Sequence, residues 1–309
     1  MKRKLTYLLS LSLLCCTLGL AFIANYFVDF ALKRGNEHNP LAIPPACLQI
    51  LDPSVTQNAL PSYPYASWHN ISADGLKLSA TYFHPTKTTN KWVVIVHGYG
   101  RDQNSIWDIA QVYLAAGYKV LTPDLRAAGN SQGRYLTVGY SEAADLKAWI
   151  TQIVSREPNA DITLHGVSMG AATVILSTAH DLPANVKSIV EDCGYSSAYE
   201  MFSLQLKGLY GLPAFPIMPA VNMACKLKAN FYLTDSTPLR VIANNKIPML
   251  FIHGTTDTLA PIAMGKALYN AATCNKAFLW VEGAGHADAR KYSREQYYAA
   301  VFNFIEQYH

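Results

Sequence analysis

Charge is what this chain has least of. Only 15% of its 309 residues are Asp, Glu, Lys or Arg, against roughly 25% in an ordinary soluble domain. Residues 1–35 hold Lys2, Arg3, Lys4, Lys33 and Arg34 against Asp29, a net of +4 that accounts for the whole chain's +4. The rest is neutral. A neutral body has no basic field with which to hold a polyanion, so nucleic acid is excluded as a partner. Cysteine is also scarce. Cys15 and Cys16 sit in an apolar run, and Cys47, Cys193, Cys225 and Cys274 are scattered. These four form no dense disulfide framework, and any pairing among them stays open. With no CxxC and no His/Cys cluster, the sequence implies neither a metal nor another cofactor. No internal repeat is evident.

Apolar residues are abundant, at 50%. After "MKRK" comes "LTYLLSLSLLCCTLGLAFIANYFV", Leu5 to Val28, without charge or proline. About 20 such residues span a bilayer as a helix, and the run exceeds the apolar core of a cleaved signal peptide. Residues 1–35 therefore read as an uncleaved signal anchor. Cleavage after Ala21, giving a secreted protein, is the alternative. The "LLCC" stretch lacks the small residue expected before a lipidated cysteine. Three basic residues before the span favour a cytoplasmic N-terminus and an extracytoplasmic main domain.

Residues 36–64 read as a Pro-rich connector, including "NPLAIPPACLQILDPS", and 65–309 as one large α/β domain. "SWHNIS" and "LKLSATYFHP" alternate as an antiparallel pair. "KWVVIVHG" is a strand buried on both faces, followed by helix "SIWDIAQVYLAAGY" and strand "KVLTPD". Helix "SEAADLKAWITQIV" puts Leu146, Ile150 and Ile153 on one face, with Ser141-Glu142 as its cap. Further strand–helix alternation implies a mostly parallel sheet with helices on both faces. Ligands bind such sheets beyond the carboxyl ends of the strands.

Three of those ends carry chemistry. Ser168 stands in "HGVSMGAA", where an apolar strand turns into a helix; Asp257 follows "LFIHG" and His286 lies in "VEGAGHADA". A serine hydroxyl needs a base to become a nucleophile, and the base needs an acid to hold its tautomer and its developing charge. The order Ser, Asp, His and the strand–turn–helix at the serine match a nucleophile elbow. Asp192, at the end of "VKSIVEDC", is an alternative acid. His97, His165 and His253 precede glycines at strand ends and read as structural, and Asp124 and Arg126 as organisers of their loop.

From about residue 65 onward, "VIVHGYG", "TPDLRAAGNSQG", "HGVSMGA", "FIHGTTDTLAP" and "GAGHADA" come in the order and spacing of an α/β-hydrolase. The chain resembles the serine-aminopeptidase-like group, in particular bacterial membrane-anchored esterase-like members. That resemblance implies the α/β-hydrolase fold with a cap between strands 6 and 7, here about 194–246. It implies a triad of Ser168, Asp257 and His286, with "HGTTD" favouring Asp257 over Asp192. It also implies an oxyanion hole from the backbone N–H groups of Met169 and Tyr99.

The cap segment "MFSLQLKGLYGLPAFPIMPAVNMACKL" is rich in apolar side chains, and its acids are few, Glu200 and Asp235. An apolar roof suits an ester with an apolar acyl or aryl group better than a substrate bound by a free ammonium. The expected partners are therefore a small-molecule ester or related acyl substrate and, through the N-terminal helix, a membrane. Peptidase, amidase or thioesterase action by the same triad is the alternative. A noncatalytic membrane-tethered binding module is the reading from another class.

Overall fold

The computed structural model describes residues 2–35 and 63–308, so nearly all of the expected connector, with Cys47, lies outside the described residues. Eight strands form one sheet in the order β1-β2-β4-β3-β5-β6-β7-β8. β1 (Tyr65–Ile71), β2 (Lys77–Phe83) and β4 (Lys119–Pro123) pair antiparallel in sequence order. β3 (Lys91–Val96), β5 (Asp161–Val167), β6 (Val186–Asp192), β7 (Met249–Gly254) and β8 (Lys276–Val281) complete it, and every pair from β4 to β8 is parallel. This is the mostly parallel sheet that the sequence predicts.

Burial on both faces is plain in β3. Trp92, Val94 and Val96 enter one core, while Val93 and Ile95 enter the other. The first core receives α3 (Tyr140–Arg156) and α4 (Met169–Ser177); the second receives α2 (Trp107–Ala115) and α8 (Arg294–Ile305). Helix α3 begins one residue ahead of the predicted Ser141-Glu142 cap. Its cap position is Gly139, and Glu142 serves it from inside the helix, accepting from the Gly139 N–H at 3.0 Å and the Thr137 N–H at 2.7 Å. A buried carboxylate thus gathers amides that a surface serine would have left to water. Cys193, Cys225 and Cys274 are free thiols.

Between β6 and β7 the chain leaves the sheet to form α5 (Ala198–Tyr210) and α6 (Ala214–Ala229), followed by short helical turns; α7 (Ile262–Ala271) lies between β7 and β8. The N-terminal run is one helix, α1 (Lys2–Leu32), and its two halves differ. Leu8, Leu11, Leu14 and Leu18 are exposed, whereas Ala24, Val28 and Leu32, spaced by four, are buried in the first core. The end of α1 is fastened to the domain. Leu32 O accepts from Leu136 N at 3.0 Å, and Asp29 accepts from Tyr135 Oη at 2.7 Å and pairs with Lys228 Nζ at 2.6 Å. α1 also packs along α6.

Candidate active site

The turn from β5 into α4 holds Ser168 at φ 58° and ψ −116°, a left-handed backbone that side chains rarely adopt. Two glycines make the turn possible. A Cβ on Gly166 would come within 2.2 Å of Gly170 O, and one on Gly170 within 2.0 Å of Val96 O. Backbone therefore touches backbone on both sides of the serine, and the hydroxyl is pushed out at the carboxyl edge of the sheet.

At that edge Ser168 Oγ lies 2.7 Å from His286 Nε2, and His286 Nδ1 lies 2.7 Å from Asp257 Oδ2. With Nδ1–H donating to the carboxylate, Nε2 is left to accept the serine proton. The other oxygen, Asp257 Oδ1, accepts from the Leu259 and Ala260 N–H groups, each at 2.9 Å. Burial opposes ionisation of Asp257, but hydrogen bonds from His253 and His286 outweigh it and hold the carboxyl well below the usual range. The structure thus brings together the three side chains singled out from the sequence. Asp192 is elsewhere engaged: it is fully buried, accepts from Tyr297 Oη at 2.8 Å, and is pushed upward by that burial.

The remaining histidines have other partners. His97 donates from Nδ1 to Gly98 O at 2.9 Å and accepts from Leu125 N at 3.0 Å. His165 lies between Tyr113 and Tyr297 hydroxyls, each at 3.0 Å, and burial pushes its imidazole down to about 3, keeping it neutral. His253 donates to Ala260 O at 2.7 Å and sits 3.2 Å from Asp257 Oδ2, a second imidazole on the same carboxylate. The sequence reading took it only as a strand-end residue. Its spacing four residues before Asp257 was the available signal. Asp124 accepts from Gln103 and Asn130 amides, while Arg126 pairs with Asp145 at 2.7 Å and Asp74 at 2.9 Å.

Met169 is the first residue of α4, so its N–H has no carbonyl one turn earlier to bind. The β3 loop runs close to Ser168: a Cβ on Gly98 would lie 3.3 Å from the serine Cβ. Next to it, Tyr99 donates its hydroxyl to Ala31 O, tying this loop to α1. Ser168, His286, Tyr99 and Met169 line an apolar cavity of about 120 Å³. Its walls come from the cap, including Met201, Leu206 and Met218, and from α1, including Phe27, Val28 and Ala31. Nothing in the sequence marked the α1 wall, because a run that is apolar on every side does not reveal which side is packed.

A family described as serine aminopeptidase, S33, matches residues 87–194. A Bacillus subtilis protein, the uncharacterised YqkD, is 27% identical over 236 residues, covering 76% of this chain and 77% of its own. The human alpha/beta hydrolase domain-containing protein 17C is 34% identical over 91 residues, 29% of this chain and 27% of that protein. Among solved structures, the Pyrococcus furiosus esterase Pf2001 superposes with a TM-score of 0.66 at 24% identity, covering 80% of this chain and 92% of the esterase. The chain has the α/β-hydrolase fold that it shares with that esterase, and within it residues 87–194 are similar to the serine aminopeptidase family.

Proposed function

We propose that the protein hydrolyses carboxylic esters with an apolar acyl or aryl group through a covalent acyl-serine. The observation that carries this reading is the hydrogen-bonded series Ser168–His286–Asp257 at an apolar cavity. His286 Nε2 takes the Ser168 proton as Oγ bonds to the ester carbonyl carbon. Asp257 keeps the imidazole oriented and stabilises its positive form. The Met169 and Tyr99 N–H groups meet the oxyanion, where one donor contributes about 3–4 kcal/mol. As the tetrahedral adduct collapses, the C–O bond to the alcohol breaks and His286 returns the proton to the leaving oxygen. Water, deprotonated by the same nitrogen, then attacks the acyl-serine. The acid leaves and Ser168 regains its proton.

The cavity wall is nearly all hydrocarbon, which supports esters over substrates that carry a free ammonium. A panel of p-nitrophenyl esters, aminoacyl anilides and acyl thioesters tests this. The highest kcat/KM is expected on an ester; a higher value on an anilide or thioester would reassign the enzyme, and no turnover on any of the three would favour a binding role.

α1 is read as a signal anchor with Lys2, Arg3 and Lys4 on the cytoplasmic side and the hydrolase domain outside. The span should stay in the membrane fraction through a high-salt wash, and protease added to intact cells should reach the domain. Protection until lysis would reverse the orientation. A soluble product starting near Phe22 would mean that the leader is cleaved. Such cleavage would leave the wall residues Phe27 to Leu32 in place.

A further inference from the structure

The α5–α6 hairpin has both of its outer ends anchored beside the loop that carries Tyr135 and Val138. Ala198 N, at the start of α5, donates to Ser236 O at 2.9 Å, and Ser236 donates its hydroxyl to Val138 O. Near the end of α6, Lys228 pairs with Asp29 beside Tyr135. The turn at 211–213 therefore lies a helix length from either anchor. α1 ends on the same surface, at Leu136 and Arg134, and packs along α6. Beside the turn, the Tyr210 ring meets Phe27 of α1, and Ala24, one turn earlier, is the first buried residue of α1 among those described.

Helix rise sets the depth. Leu18 is exposed and Leu20 packs against the core, so the domain covers α1 from about there. Leu5 to Leu18 then gives about 20 Å of helix clear of the cap, against the ~30 Å of a bilayer's hydrocarbon core. An α1 that spans the bilayer must carry the outer end of the hairpin into it. The surface there is suited to that place. Leu209, Tyr210, Leu212 and Phe215 are exposed, Phe215 at 78%, a cluster that is a liability in water. The cavity that Ser168 lines has Phe27, Leu209 and Tyr210 in its wall, and the Phe27 and Tyr210 rings meet at 5.5 Å. Its apolar rim thus continues into the surface that α1 presents to lipid.

We propose that the tip of the α5–α6 hairpin is immersed in the adjoining leaflet, and that the site takes a membrane-resident lipid ester whose acyl chain reaches Ser168 between α1 and α5. This rests on α1 as a membrane span and on Ser168 as the nucleophile.

The test uses the full chain in vesicles of phosphatidylcholine with phosphatidylglycerol. The five native tryptophans lie in the sheet domain, so Phe215→Trp adds one reporter at the tip. Brominated lipid should quench at least half of the added emission. In parallel, Leu212→Glu and Phe215→Glu should lower hydrolysis of a long-chain glycerol ester held in the vesicles tenfold or more, with p-nitrophenyl acetate hydrolysis within twofold of the parent. Protein that floats with vesicles but shows no added quenching overturns immersion alone. Equal changes on both esters overturn delivery from the leaflet. Protein that does not float overturns the span and this proposal with it, and a parent inactive on the acetate overturns the nucleophile.

Discussion

The floor of the site and its roof are held by different forces. At the floor, the ends of β5, β7 and β8 fix Ser168, Asp257 and His286 by hydrogen bonds of 2.7–2.9 Å. Glycine contacts around the elbow leave no room for another Cβ. The roof, made by α1, α5 and α6, is packed hydrocarbon with few directional bonds. A hydrogen bond fixes an angle as well as a distance, whereas dispersion and burial fix only proximity. In the proposed function the floor sets which bond is broken, and the roof sets which molecule is held over it. Changes at the floor should act on every substrate alike; changes in the roof should separate one substrate from another.

The largest effect expected is at the nucleophile. Ser168→Ala should lower ester kcat by roughly 10⁴-fold or more while the thermal unfolding curve keeps its cooperativity. Turnover near the parent level would break the distinction outright. Next comes the acid. Asp257→Asn should cost about 10³- to 10⁴-fold in kcat, because the imidazole loses its tautomer and its counter-charge. Asp192→Asn, at a carboxyl bonded to Tyr297 where His286 is bonded to Asp257, should change kcat less than about tenfold on the same reasoning. Steady-state kinetics on one soluble ester compares the two, and the reverse order would move the acid to β6.

A roof substitution sharpens the contrast. Val28 is 1% exposed and lines the cavity. Val28→Phe should lower the ratio of long-chain to acetyl ester kcat/KM about tenfold, a difference of about 1.4 kcal/mol in transition-state binding. A parallel fall on both esters would show that this wall serves the floor instead.

The smallest effect expected is on stability. Burial pushes Glu191, which accepts from Gly194 N at 2.7 Å, up to about 7. Between the ordinary carboxyl range and that value the folded chain holds a proton that the unfolded chain has released. Its contribution to stability is present below the unfolded pKa and is lost as pH rises to about 7. Glu191→Gln should flatten the denaturation midpoint between about pH 4.5 and 7 relative to the parent; an unchanged slope would assign that pH dependence to another group.

The floor was largely legible in the sequence because it is local. A buried strand, a glycine and a polar residue lie within a few positions of one another in "HGVSMGAA", "FIHGTTD" and "VEGAGHADA". Parallel topology then brings the three ends to one edge. The Tyr99 amide came only from family resemblance, since a loop's course leaves little local signal. The α3 cap was misjudged because Glu142 folds back on Gly139 and Thr137 from inside the helix. The roof was the least legible part. Its apolar composition was plain, but contact between α1 and α6 joins residues some 200 positions apart. Asp29 pairs there with Lys228 and Tyr135, and nothing near it in the sequence points to either.

The central claim is that Ser168 forms a covalent bond to the acyl group, and a fluorophosphonate tests it most directly. The purified full chain would be treated with the reagent, digested, and mapped by peptide mass spectrometry. One adduct on the peptide that carries Ser168 is expected, absent from Ser168→Ala and strongly slowed in the His286→Ala variant. A folded parent that takes no label, or takes it at another residue, would contradict the account.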